Sequence, residues 1–320
     1  MKKLKCGYKN LKMKQYTIIK PQTHEEWLQH RGGGIGSSEV GTILGLNPFE
    51  TPYQLWRRKT GKDGAKEETF AMKAGHFLED GVARFFEDAT GYEVDYSTSG
   101  DWIAIDNEKP FLRVSPDRIY KKNGNSCIVE CKTTQKQIDT NDIPLYWFAQ
   151  LQYQMGVMRI NEGAIAWLIS GREFGYKEIK FNEEFYTYMV DKIEKFWFEN
   201  IQGNKEPLCI NSTDIITKFP QSKENAVMVD ISLATTFPLL RELKERKKQL
   251  EEEIGDLEER IKFYMGENDT MIDAFGNTLV TWKTPKASMK FDEKKFKAEN
   301  PDLWSSYAKE VQGSRRFLLK

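Results

Sequence analysis

Residues 126–133 read Ser-Cys-Ile-Val-Glu-Cys-Lys-Thr and follow Asn123-Gly124, a dipeptide strongly favoured in two-residue hairpin turns. The run is therefore read as a strand paired back on the residues before the turn. Successive side chains of a strand alternate between its faces. Glu130 and Lys132 thus point the same way, about 7 Å apart, while Val129 and Cys131 point the other way. Residues 128–131 are otherwise apolar or small, which marks an interior strand. A Glu beside a Lys on such a strand needs a reason. Thirteen residues before Glu130, the strand-like stretch 112–120 holds Ser115-Pro116-Asp117. Two acids converging from adjacent strands can hold a hard divalent cation through oxygen. A Lys beside them can orient or deprotonate a water, or stabilise charge developing on a phosphoryl group. An ion pair on an exposed sheet face, with Asp117 in a turn, fits the same letters, and both readings stand at this point.

Other candidate groups surround this one. Residues 69–90 carry the periodicity of an amphipathic helix that Gly91 stops. Glu79 lies on it, placed either to join the two acids or to stand in solvent beside Asp80. A helix over 143–158 carries Gln150 and Gln154 one turn apart, and neutral amides orient a water or a phosphate without adding charge. Upstream, Arg31-Gly-Gly-Gly-Ile-Gly-Ser-Ser-Glu39 leads into a helix that Ser37 or Ser38 can cap. Free backbone N–H groups, a hydroxyl and the Arg31 guanidinium make an anion site there. It is no Walker loop, because no Lys precedes the Ser, and no dinucleotide fingerprint, because no strand feeds its glycines. Phosphate binding without a pocket for a nucleotide base is what remains. The spacing of His24, His30 and His76, and the lack of a C-x-x-C pair, argue against zinc and iron–sulfur sites.

Composition limits the class of protein. Hydrophobic residues make up 39% of 320, enough for a sizeable core. The longest apolar run, residues 164–169, is far below the roughly 20 residues of a membrane helix. No signal peptide is expected, and four scattered cysteines suit a reducing, cytoplasmic setting. Cys127 and Cys131, about 13 Å apart along a strand, cannot bridge each other. Net charge is zero, from 48 basic and 48 acidic residues, which argues against a purely electrostatic DNA binder. The distribution is uneven: residues 1–20 hold seven Lys and no acid, and residues 283–320 hold ten basic residues against five acids.

The expected organisation is a basic arm (1–20), an α/β core (21–210), a polar linker (211–225) and a C-terminal part (226–320) with a helical arm, a small β module and a basic tail. In the helix over 240–265, Leu243, Leu250, Ile254, Leu257, Ile261 and Tyr264 recur at three- and four-residue steps, and Lys247 interrupts the seam. That pattern suits a short coiled coil. Its expected partner is the following chain folded back, with a second subunit as the alternative.

Four blocks in order resemble the YqaJ-type phage recombinase nucleases, relatives of phage lambda exonuclease. They are Trp27-x-x-x-Arg31 with Ser38-Glu39, Gly75-x-x-x-Glu79, Ser115-Pro116-Asp117 with Glu130-Cys131-Lys132, and Ala149-Gln150-Leu151-Gln152-Tyr153. The resemblance implies a restriction-endonuclease-like PD-(D/E)xK core, a mixed central sheet flanked by helices, that hydrolyses DNA with Mg2+, Mn2+ substituting. It implies Asp117, Glu130, Glu79 and the backbone carbonyl of Cys131 as metal ligands. Lys132 would serve the nucleophilic water and Gln150 would help to place it, while Arg31 and Ser38 would hold a DNA phosphate. The implied reaction is 5′→3′ exonucleolysis of linear duplex DNA, leaving 3′ tails for recombination. A single-strand annealing protein is the expected partner, and a homo-oligomer is conceivable. An endonuclease with the same metal site, or a non-catalytic DNA-binding or assembly protein, is the alternative.

Overall fold

The computed structural model describes residues 15–64, 69–97, 102–311, 313 and 315–319. The basic N-terminal arm lies outside them except for its last residues. The chain divides into two compact units, Met1–Lys218 and Phe219–Lys320.

The first unit opens with β1 (Tyr16–Ile19), α1 (His24–Gly32), α2 (Ser37–Ile43), α3 (Pro52–Lys59) and α4 (Phe70–Thr90). Thr69 caps α4 by accepting from the Met72 N–H, and Gly91 ends it in the left-handed region at φ 68°, where glycine carries no Cβ penalty. There follow β2 (Glu93–Asp95), β3 (Ile103–Asp106), β4 (Arg113–Val114), β5 (Arg118–Lys122), β6 (Asn125–Thr134), α5 (Leu145–Met158), β7 (Glu162–Ile169), β8 (Glu173–Lys180) and α6 (Glu183–Lys195). A π-helical stretch, Phe196–Gln202, extends α6, and α7 (Ser212–Lys218) closes the unit.

Two sheets result. A five-stranded sheet has the order β2-β5-β6-β7-β8, and a three-stranded one the order β1-β3-β4. The larger sheet is mixed, since β6 and β7 run parallel and every other neighbouring pair runs antiparallel. A parallel pair needs a crossover, and α5 supplies it. Asn123 and Gly124 both take positive φ and set Lys122 opposite Asn125, the hairpin read from the sequence. The alternation of β6 divides two cores. Ile128 packs on one side with Leu151, Tyr153 and Met155 of α5. Cys127, Val129 and Cys131 pack on the other with Val82, Ala83 and Phe86 of α4. The fold class is the expected one: α/β, with a mixed central sheet covered by helices.

Three elements differ from expectation. Residues 112–120 are two strands in two sheets, not one strand. Pro116 has no N–H to give a ladder, and β4 and β5 part around Ser115-Pro116-Asp117. The edge strand β8 went unread. The polar stretch after residue 210 is not all linker, because it forms α7. There Asp214, fully buried, accepts from Thr51 Oγ1 at 2.9 Å and from the Ile210 N–H at 3.1 Å.

The second unit holds a short 3-10 turn (Ile231–Leu233), α8 (Thr236–Met265), a hairpin of β9 (Thr270–Ile272) and β10 (Thr278–Thr281), then α9 (Glu293–Glu299) and α10 (Pro301–Tyr307). The seam of α8 is solvent-exposed from Leu243 to Tyr264, so it is not folded against the following chain as expected. Among the described residues no helix is long and apolar enough to cross a membrane, and Cys127, Cys131 and Cys209 are free thiols.

Candidate active site

The face of β6 that carries Glu130 and Lys132 is covered by α5. Glu130 is 1% exposed, and both oxygens of its carboxylate accept hydrogen bonds, with one acceptor site left on Oε2. Oε1 accepts from Lys132 Nζ at 2.7 Å and from Gln150 Nε2, and Oε2 accepts from Gln154 Nε2 at 2.7 Å. Lys132 Nζ also donates to Gln150 Oε1 at 2.9 Å. The pair therefore does not sit on an open sheet face. Positions four apart on a helix lie one above the other, so Gln150 and Gln154 meet the two oxygens of one carboxylate.

Asp117 stands where β4 and β5 part, and its Oδ2 accepts from the Cys131 N–H at 2.7 Å. Cys131 enters through its backbone, while its side chain lies in the α4-side core. Burial first, then the charges of Glu130 and Glu79, push the Asp117 carboxyl well above the usual range, against the pull of Lys132. Burial works against the charge of Lys132, yet Glu130 and Asp117 hold its ammonium above the ordinary lysine value. Glu79 reaches the same field from α4. It is clamped by the Arg118 guanidinium, which also donates to Asp80 at 3.3 Å. Burial raises Glu79, and Arg118 opposes that rise.

Among the described residues no three of His, Cys, Asp and Glu stand together as a ready-made metal cage. The donor set nevertheless fits a small hard cation. Mg2+ needs only one or two carboxylates, because it keeps several waters, and Asp117 and Glu130 repel each other in a way that a cation between them relieves.

The glycine-rich loop carries Arg31 and Ser38, the candidate anion-binding pair. Arg31 Nη2 donates to Ser38 Oγ at 2.7 Å, and its guanidinium lies 4.8 Å from the Trp27 ring centroid. Neither serine caps α2: Gly36 is the N-cap and its N–H donates to Glu39 Oε2 at 2.9 Å. Glu39 is buried and paired with Lys59 at 2.9 Å and Arg58 at 3.1 Å. Lys59 in turn donates to the Gly34 carbonyl at 2.6 Å, so a buried ion cluster shapes the loop. A Cβ on Gly34 would stand 2.4 Å from the Phe111 carbonyl oxygen, and only glycine fits there.

These parts share one cleft of about 190 Å³, lined by Arg31, Gly36, Ser37, Ser38, Ile103, Arg113, Ser115, Asp117 and Gln150. The structure thus joins Arg31 and Ser38 to Asp117 and Gln150, with Glu130 and Lys132 bonded directly behind. Glu79 stays on the α4 side. Sequence reasoning placed Glu39 in a motif without a role, and did not single out Lys59, whose pairing with it crosses 20 residues. Gln154, singled out with Gln150 by their i, i+4 spacing, reaches from Glu130 to Ser37 Oγ at 3.3 Å.

Comparison with known proteins gives the following. The family described as YqaJ-like viral recombinase domain matches residues 26–161. The YqaJ protein of Bacillus subtilis (strain 168) is 32% identical over 310 residues, covering 93% of this chain and 94% of that protein. Among solved structures, an alkaline exonuclease from Laribacter hongkongensis is 15% identical at a TM-score of 0.46, covering 56% of this chain and 93% of its own. A phage related exonuclease from Haemophilus somnus 129PT is 11% identical at a TM-score of 0.39, covering 54% and 96%.

Proposed function

The chain belongs to the YqaJ-like viral recombinase family, and on that premise we propose that it is a metal-dependent DNA exonuclease acting 5′→3′ on linear duplex ends. The carrying observation is one cleft that Arg31 and Ser38 share with Asp117 and Gln150, where Gln150 bonds the Glu130–Lys132 pair behind it. Asp117, Glu130 and the backbone carbonyl of Cys131 would hold Mg2+ or Mn2+, with Glu79 nearby once Arg118 releases it. The bound ion supplies Lewis-acid polarisation of the phosphodiester and an acidified water.

The residues of the chain do the rest. Lys132 has three N–H donors, and two of them are spent on Glu130 and Gln150. The third would serve the attacking water or the charge developing on the phosphoryl oxygens. Gln150 fixes the Lys132 rotamer by bonding both members of the pair. Arg31 and Ser38 bind the 5′-terminal phosphate, where a guanidinium favours a dianion over an internal diester. The product, a 3′ single-stranded tail, suits a single-strand annealing protein as the next partner.

The test is hydrolysis of blunt linear duplex beside covalently closed circles, with and without divalent cation. Linear DNA is degraded, circles survive and chelator stops the reaction. Lys132→Ala and Glu130→Gln lose at least about a thousandfold in rate while keeping the fold. Nicked circles would make the protein an endonuclease, and DNA binding without hydrolysis would make the acids structural. Undiminished activity in Lys132→Ala would sink the mechanism. Arg31→Ala slows digestion of 5′-phosphorylated ends more than of 5′-hydroxyl ends, and an equal loss on both ends removes Arg31 as an end sensor.

A further inference from the structure

The helix α8 spans 30 residues, about 45 Å, and its apolar stripe faces solvent. Leu243, Leu250, Ile254 and Leu257 are between 49% and 58% exposed. Together with Leu240 and Ile261 they occupy a and d positions of a heptad: Leu240, Lys247, Ile254 and Ile261 at a, and Leu243, Leu250, Leu257 and Tyr264 at d. Charge divides along the same helix. Residues 241–248 carry five basic and two acidic side chains, and residues 251–259 carry six acidic and no basic ones. A helix on its own prefers acids near its start and bases near its end, so this order works against the isolated helix.

We propose that α8 pairs antiparallel with α8 of a second copy of this chain. Reversing one copy lays the basic half of each helix along the acidic half of the other. One register satisfies both apolar and charged positions. It sets Leu240 against Leu257 of the second copy, Ile254 against Leu243, and Lys247 against Leu250. Flanking charges then match: Lys244 meets Glu251 of the second copy, and Arg246 meets Glu253. The twofold axis makes each contact twice, so the interface is closed and isologous. Sliding by one heptad would face Arg246 with Arg260 and Glu253 with Glu253. A parallel in-register pair would face Lys247 with Lys247 and Glu253 with Glu258. In the chosen register Lys247 lays its methylene stem along Leu250 and keeps its ammonium in water.

The full-length protein tests this by sedimentation equilibrium, with circular dichroism to confirm that each variant keeps its helix content. The wild-type chain self-associates, and Leu250→Asp with Leu257→Asp weakens association at least about a hundredfold. Arg246→Glu alone and Glu253→Arg alone each weaken it about tenfold, because two attractive pairs become repulsive. Mixing these two variants restores association, since antiparallel pairing joins the new Glu to the new Arg. A wild-type chain that stays monomeric well above micromolar concentration overturns the proposal. So does self-association that ignores the seam substitutions, and so does a mixture that fails to recover. None of these readouts involves DNA, so their outcome is independent of the nuclease reading.

Discussion

Asp117 is held where its charge is disfavoured. Its folded-state pKa lies above its ordinary value, chiefly through burial and then through Glu130 and Glu79. The folded protein therefore binds that proton more tightly than the unfolded chain, and stability is lost as pH rises through the window between the two values. Asp117→Asn removes the penalty while keeping an acceptor for the Cys131 N–H. Without divalent cation, its Tm lies above wild type at neutral pH, and the gain disappears in acid, where Asp117 is protonated in both states. Calorimetry across that range checks the sign, and a variant less stable at neutral pH would reverse the argument. Gln154 presents the opposite case, a neutral group whose value is in its bonds. Gln154→Leu leaves Glu130 Oε2 and Ser37 Oγ without their donor, at a cost of about 1–3 kcal/mol, measurable by urea denaturation. Glu130 and Lys132 were legible because strand alternation is a local rule. Glu39 was not assigned a role, since only the tertiary fold brings Lys59 and Arg58 to it.

Elements with strong local punctuation were legible for the same reason: α4, which Gly91 stops, and the hairpin at Asn123-Gly124. The edge strand β8 was not. Among the described residues it pairs only with β7, and its exposed Glu and Lys residues dilute the apolar alternation that marks a strand. The split of β4 from β5 needed the three-dimensional fact that the two belong to different sheets. Close packing between helices is also invisible in a linear reading. Gly156 lets α5 approach α6, because a Cβ there would fall 2.1 Å from the Tyr186 ring. Gly156→Ala thus forces the helices apart, despite the higher helix propensity of alanine, and destabilises by about 1–3 kcal/mol. Thermal unfolding measures this, and unchanged or increased stability would mean that Tyr186 swings aside freely.

For the whole chain, the unit boundary falls after Lys218, and Asp214 explains why it does not fall earlier. A protein ending at Lys218 keeps the Thr51–Asp214 bond and folds with the cleft intact. One ending at residue 210 leaves Thr51 Oγ1 without that partner and loses about 1–3 kcal/mol. Chemical denaturation of the two truncations compares them directly, and equal midpoints would show α7 to be dispensable. Within this unit, β6 lines the α4-side core with one face and the α5-side core with the other. Neither core can melt without stripping a wall from its neighbour, so melting is cooperative. A one-residue slip of β6 would also turn Glu130 and Lys132 into the α4-side core and carry Val129 and Cys131 to the cleft. On the proposed mechanism, catalytic competence and correct strand pairing are therefore the same event: a copy trapped out of register is a dead protein, not a loosely controlled nuclease.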